Sequence, residues 1–176
     1  MSRADRPASA IGELQVRRFE AGDACAVRRL HDLGLTEAGV HFAPGLRDPD
    51  LDAIPATYLD DGGEFVVGFS DGRLVAMGAL RHVTNTVGEV KRMQVDPAFQ
   101  RRGYARLILA GLENRARELG YRKLRLDITI RQAPARRLYA SAGYREVGRG
   151  QLAGVEVVYF AKSLIQAIDA PEALTQ

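Results

Sequence analysis

The run Glu89-Val90-Lys91-Arg92-Met93-Gln94-Val95-Asp96-Pro97-Ala98-Phe99-Gln100-Arg101-Arg102-Gly103-Tyr104-Ala105-Arg106 decides the reading of this chain. Its first half, with Gly88, reads as a strand over 88–95, and Asp96-Pro97 ends that strand. From Gly103 onward, Ala105, Ile108, Leu109, Leu112, Ala116 and Leu119 recur at spacings of three and four. That is one buried face of an amphipathic helix over 103–119, with Gly120 as its C-terminal stop. The order is therefore strand, basic glycine loop, helix. The first N–H groups of a helix lack internal partners and carry the positive end of its dipole, so they bind phosphate oxygens. Gly103 and Ala105 leave room for a pyrophosphate at the backbone, and Arg101, Arg102 and Arg106 supply charge. On these residues alone the loop reads equally well as a turn with a solvated cap. Two better-known phosphate loops, Gly-x4-Gly-Lys-Ser/Thr and Gly-x-Gly-x-x-Gly after a first βα unit, are absent.

On the N-terminal side, 64–69 and 73–82 are β-prone runs joined by Ser70-Asp71-Gly72, which is hairpin chemistry, and Thr84-Asn85-Thr86 turns the chain into 88–95. The centre is an antiparallel meander. Further out, 14–19 alternates as a strand, and Asp23 is placed as N-cap of a helix carrying Val27 and Leu30. The stretch 36–61 is broken by Pro44, Gly45, Pro49 and Pro55, leaving a short helix near 51–59 and a segment suited to shaping a substrate pocket. On the C-terminal side, 123–130 alternates as a strand. Pro134 suits the first turn of a helix with Ala135, Leu138, Tyr139 and Ala142 on one face, ending at Gly143. Two closing strands follow over 144–147 and 155–161, with Gly148, Gly150 and Gly154 in their connection. Residues 1–12 read as a disordered tail, 13–166 as a single domain and 167–176 as a frayed tail.

The hexad Gln100-Arg101-Arg102-Gly103-Tyr104-Ala105 resembles the central motif of the GNAT superfamily of N-acetyltransferases, Gln/Arg-x-x-Gly-x-Gly/Ala between a strand and a helix. A second block fits the same family: residues 132–139 resemble Asn-x-x-Ala-x-x-Leu-Tyr, and Gly143-Tyr144 resembles the Gly-Phe/Tyr after it. The resemblance covers most of the chain. It implies an α+β, three-layer fold, with a central mixed, mostly antiparallel sheet of about seven strands flanked by about four helices. It also implies acetyl-CoA, or coenzyme A as its product, as the acyl-donor partner. The pyrophosphate would rest on the N–H groups of 101–106, beside Gln100 and Tyr104, and the pantetheine arm would pair with Met93 and Val95 where their strand splays from the next. The Val95 N–H would polarise the thioester carbonyl. Where the family often has Asn, this chain has Gln132, a longer amide still able to reach pantetheine. Glu89 resembles the general base of the histone-acetyltransferase branch, and Tyr139 the general acid for the departing thiolate. From the residues alone, Glu89 reads first as a partner of Lys91, Tyr139 as part of an apolar face, and Met93 and Val95 as strand core; the site roles come from the resemblance.

At 176 residues, with 46 % hydrophobic and 27 % charged residues, the composition is that of a globular protein. No apolar run approaches a membrane span, and the start of the chain lacks an apolar signal region, so the expectation is cytoplasmic. Cys25 has no second cysteine to pair with and reads as a small half-buried helix residue. His31, His41 and His82 lack ligand spacing, so no metal is expected. The net charge is +3, yet the residues from Arg101 to Arg137 are dense in arginine. A nucleic-acid-binding module is the non-enzymatic alternative, although the basic stretch has no interleaved aromatics and the chain no Trp. A coenzyme A sensor without turnover is another. Gly68-Phe69-Ser70-Asp71-Gly72 matches the nucleophile elbow of serine hydrolases, but an elbow needs a helix after it and here a second β run follows. The acceptor is expected to be an amine on a small molecule or peptide. Asp48, Asp50, Asp52, Asp60 and Asp61 read either as an amine trap or as plain surface acidity, and a homodimer is left open.

Overall fold

A computed structural model describes residues 13–37, 48–152 and 154–165. The tails expected at 1–12 and 167–176 lie outside these residues, as does 38–47 of the irregular stretch. Seven strands form one sheet in the order β1-β2-β3-β4-β5-β7-β6: β1 (Gln15–Arg18), β2 (Glu64–Ser70), β3 (Arg73–Thr84), β4 (Val87–Val95), β5 (Lys123–Thr129), β6 (Arg145–Leu152) and β7 (Val155–Ser163). Only the β4/β5 pair is parallel; every other neighbouring pair is antiparallel. Among the described residues four α-helices flank the sheet: α1 (Ala24–Glu37), α2 (Pro49–Asp52), α3 (Tyr104–Glu118) and α4 (Ala133–Ser141). The fold class is the one expected from the sequence.

The sheet has a core on each face because its central strands bury residues of both parities. On one face Ile108, Leu109, Leu112 and Ala116 of α3 and Tyr139 of α4 pack with Leu80, Val90, Leu124 and Leu126. On the other, Val27 and Leu30 of α1, Leu51 of α2, Ile54 and Tyr58 pack with Phe65, Val67 and Met77. The helix that periodicity places over 103–119 forms the first of these layers, stopped by Gly120 in the left-handed region at φ 84°.

Asp71 and Gly72 both have positive φ, 51° and 73°, which is the primed turn that joins twisted antiparallel strands. Ser70 is buried at the end of β2, and β3 follows it directly, so the hydrolase elbow has no strand-to-helix turn to stand on.

Several local expectations are corrected. Asp23 closes a 3₁₀ turn (Ala21–Asp23) whose N-cap is Glu20. Its carboxylate accepts the Glu20 N–H at 2.9 Å and two nitrogens of Arg17 at 2.7 and 2.8 Å. The helix expected near 51–59 is split into α2 and a single π turn, Pro55–Leu59. Gly148 and Gly150 lie in β6 and not in a connection, opposite Tyr159 and Val157. A Cβ on Gly150 would stand 3.0 Å from the Tyr159 ring, so the glycine is what lets that ring lie across the strand. Cys25 is exposed.

Candidate active site

Strands β4 and β5 pair at three positions only, Val87↔Lys123, Gly88↔Leu124 and Glu89↔Arg125. Beyond Glu89 they part. β5 continues along β7 to Thr129 and β4 along β3 to Val95, which leaves one edge of β4 without a strand beside it. The Asp96 N–H donates to the Val75 carbonyl at 2.8 Å, toward β3. Alternation along the strand therefore turns the backbone groups of Val95 and Met93 to the open edge.

A cavity of about 270 Å³ occupies this gap and has two unlike walls. Toward α3 and α4 it is lined by Val90, Met93, Ile128, Gln132 and Tyr139; toward α1 and α2 by His31, Lys91, Arg92, Gln94 and Asp127. The division comes from a β-bulge. Met77 faces Gln94 and Ala79 faces Lys91, so Arg92 and Met93 together stand opposite Gly78. Arg92 adopts φ 55°, a conformation that costs a non-glycine residue energy and has to be held by its surroundings. It places Arg92 on the same side as Lys91. There the guanidinium bonds Asp48 at 2.8 Å and Asp50 at 2.8 Å. Tyr58 donates to Asp50 at 2.6 Å, and His31 Nε2 lies 2.6 Å from Asp48. Burial alone would raise the pKa of Asp48 and of Asp50, but the hydrogen bonds and charge of Arg92 overcome it and hold both carboxyls below the usual range. Asp52 pairs with Arg28. These three aspartates brace α2 against α1 and β4, so they are neither an amine trap nor plain surface acidity.

Glu89, expected as general base, does not line the cavity. It is 6 % exposed and lies between Arg81 of β3 and Arg125 of β5, the latter at 3.4 Å, and is hydrogen-bonded to the former. Lys91, the alternative partner, reaches Asp127 instead, at 3.4 Å. Glu89 thus ties three strands together at the point where β4 and β5 separate. Tyr139 is 4 % exposed, packs edge-on against Tyr144 at 5.5 Å and lines the cavity. Burial, and then the Asp127 charge, push its phenol well above the ordinary tyrosine range, so it keeps its proton. Gln132 lines the same wall, with its amide oxygen accepting the Thr129 N–H at 3.3 Å.

At the far end of β4 the chain passes through a 3₁₀ turn (Pro97–Phe99) into the loop before α3. Asp96 anchors this turn, accepting the Ala98 N–H at 2.9 Å and pairing with Arg73 at 2.6 Å. Arg101 and Gly103 have φ 63° and 83°. No described residue accepts a hydrogen bond from the N–H of Arg101, Arg102, Gly103 or Ala105. A Cβ on Gly103 would meet nothing within 4 Å, so the loop opens onto free space. No described carboxylate pairs with Arg101, Arg102 or Arg106. Arg102 stacks over Phe99 at 4.8 Å, and Arg106 reaches Ser141 Oγ on α4 at 2.8 Å.

Of two further expected cofactor residues, Gln100 donates from its amide to Glu37 at the end of α1 at 2.9 Å and to the Val95 carbonyl at 3.5 Å, beside the open edge of β4. The Tyr104 ring is 3 % exposed within the core, so its side chain is turned away from the loop.

The Acetyltransferase (GNAT) family profile matches residues 29–144. The chain belongs to the GNAT acetyltransferase family. It is an acyltransferase. The uncharacterized N-acetyltransferase YjgM of Escherichia coli strain K12 is 26 % identical over 137 residues, 75 % of this chain and 82 % of that protein. Among solved structures, a GNAT acetyltransferase of Staphylococcus aureus superposes with a TM-score of 0.79 at 17 % identity, over 87 % of this chain and all of the other. YncA of Salmonella typhimurium, a putative acetyltransferase solved with acetyl-CoA, gives 0.73 at 20 %, over 91 % and 98 %.

Sequence reasoning missed the polar wall of this GNAT cavity. Asp127 was findable: it stands on the polar side of the Leu124, Leu126, Ile128 alternation. Arg92 was not, because only the bulge brings it beside Lys91. Among the described residues, no group of three or more His, Cys, Asp or Glu is placed to hold a metal ion, and no helix is long and apolar enough to cross a membrane.

Proposed function

We propose that this protein transfers an acetyl group from acetyl-CoA to an amine on a small molecule or peptide, by direct attack in a ternary complex. The observation that carries the reading is one continuous feature: the open edge of β4 leads into a loop in which the N–H groups of Arg101, Arg102, Gly103 and Ala105 have no described acceptor. These N–H groups bind the pyrophosphate, and Arg101, Arg102 and Arg106 balance its charge. The pantetheine arm lies along β4, pairing with Met93 and Val95, with the Gln132 amide beside it.

The amine enters from the wall formed by Lys91 and Asp127. As its nitrogen bonds to the acetyl carbon, the Val95 N–H stabilises charge on the carbonyl oxygen. The carbon–sulfur bond then breaks, the thiolate takes the Tyr139 proton, and the second proton of the acylated nitrogen leaves to water, from which the phenol is reprotonated. An alkylammonium must first lose a proton, and Asp127 is the carboxylate on the acceptor wall that receives it, directly or through water. Glu89 is assigned to holding the strands and not to that transfer. The test is a thermal shift with acetyl-CoA, where saturation at about 100 times the Kd adds about 2.7 kcal/mol. Gly103→Glu, which puts bulk and negative charge over the loop, is expected to abolish the shift. A shift of undiminished size in that variant refutes the placement of the pyrophosphate.

A further inference from the structure

The acceptor wall carries charge whose partners are unequally committed. Arg92 is held by Asp48 and Asp50, and His31 by Asp48. Among the described residues Lys91 and Asp127 have only each other, at 3.4 Å, two positions beyond the last β4/β5 pair, with side chains 27 % and 19 % exposed. That is a long, partly wet contact, a geometry in which a pair gains little from its own attraction. Both side chains line the cavity, on the face opposite the apolar wall. They come from the two strands that part at Glu89, so no β4/β5 backbone pairing joins them. The wall therefore presents one cation and one anion side by side, each exchangeable for a ligand group of the opposite sign.

From this geometry we infer that the acceptor is a small zwitterion: an amine with an oxyanion, carboxylate or phosphonate, a few bonds away. Lys91 takes the oxyanion and Asp127 the ammonium. A ligand that splits the pair replaces one long contact with two charge-assisted ones, leaving neither protein charge unpaired. A simple alkylamine would satisfy Asp127 and strand Lys91; a neutral amide of the same acid would do the same. The inference rests on the transferase reading above and narrows its substrate class.

The test measures coenzyme A thiol released by the full-length protein with matched acceptors: amino acids, their primary amides, aminoalkylphosphonates and plain alkylamines. The acids and phosphonates are expected to exceed the amides in kcat/KM by about tenfold, the worth of one charge-assisted contact. Lys91→Met should collapse the acid-to-amide ratio toward one, with the loss in KM, and Lys91→Arg should keep the ratio. If Lys91→Met does not fold, Lys91→Gln serves, with the same collapse of the acid-to-amide ratio expected. No turnover together with no thermal shift from acetyl-CoA sinks the transferase reading itself. A shift with turnover absent, or no better for the oxyanion-bearing amines, overturns this inference alone, as does an acid-to-amide ratio that survives Lys91→Met.

Discussion

The carboxylate of Glu89 is held by two guanidinium groups, one from each neighbouring strand, and that sets what its removal does. Both arginines are partly exposed, with side chains 43 % and 50 % accessible, so water takes over part of what is lost. Glu89→Gln is expected to lower stability by about 1–2 kcal/mol in urea denaturation, below the cost of breaking a fully buried pair. It should raise KM for acetyl-CoA while leaving the acid limb of the kcat profile in place. Loss of that limb, with a fall in kcat of about a hundredfold or more, would restore Glu89 as the base. Tyr139 differs because its phenol borders the cavity and stays protonated. Tyr139→Phe keeps the ring that packs on Tyr144 and removes only the proton. It should lower kcat by about tenfold to a thousandfold with little change in the acetyl-CoA thermal shift. An unchanged kcat would leave Tyr139 as core alone.

At the scale of elements, the candidate active site is made by two strands that pair for three residues and then separate. The bulge in β4 determines which side chains face which wall, and the space opposite it is filled from α3. A Cβ on Gly78 would lie 2.6 Å from Ile108 Cγ2 and 2.8 Å from the Met93 sulfur. Gly78→Val is therefore expected to push α3 and the bulge apart, destabilising by about 1–3 kcal/mol and weakening acetyl-CoA binding together with stability. Equilibrium unfolding and the thermal shift check this; a variant as stable as the parent would show the bulge to be soft. The elements themselves were legible wherever a periodicity ran long enough: α3, the β2–β3 hairpin and β5 lie where their patterns place them. β6 was cut short because its glycines resemble a loop, and they are permitted in the strand by the Tyr159 ring across from them.

For the whole molecule, charge and burial bound the pH range of stability. Asp23, held low first by its hydrogen bonds from Arg17, and Asp48 and Asp50, held low by Arg92 against their burial, are more acidic folded than unfolded. The stability they contribute is present above the ordinary aspartate pKa of about 3.9 and is lost as pH falls through their folded values. Tyr58, Tyr139 and Tyr144 are raised chiefly by burial, so their contribution is complete below the ordinary tyrosine value of about 10 and declines as pH rises past it. Urea midpoints should therefore be highest near neutrality and fall at roughly pH 3 and roughly pH 11. A midpoint that holds steady into either extreme contradicts the corresponding set. The sequence by itself determined the family, the seven-stranded frame and the glycine loop, because these rest on local order: a strand, a glycine that tolerates positive φ, and an amphipathic helix. Only the tertiary structure decided the surroundings of Glu89, Gln100 and Tyr104 and the charge of the polar cavity wall. Those depend on which strand, helix or bulge stands opposite, across distances along the chain that no local pattern records.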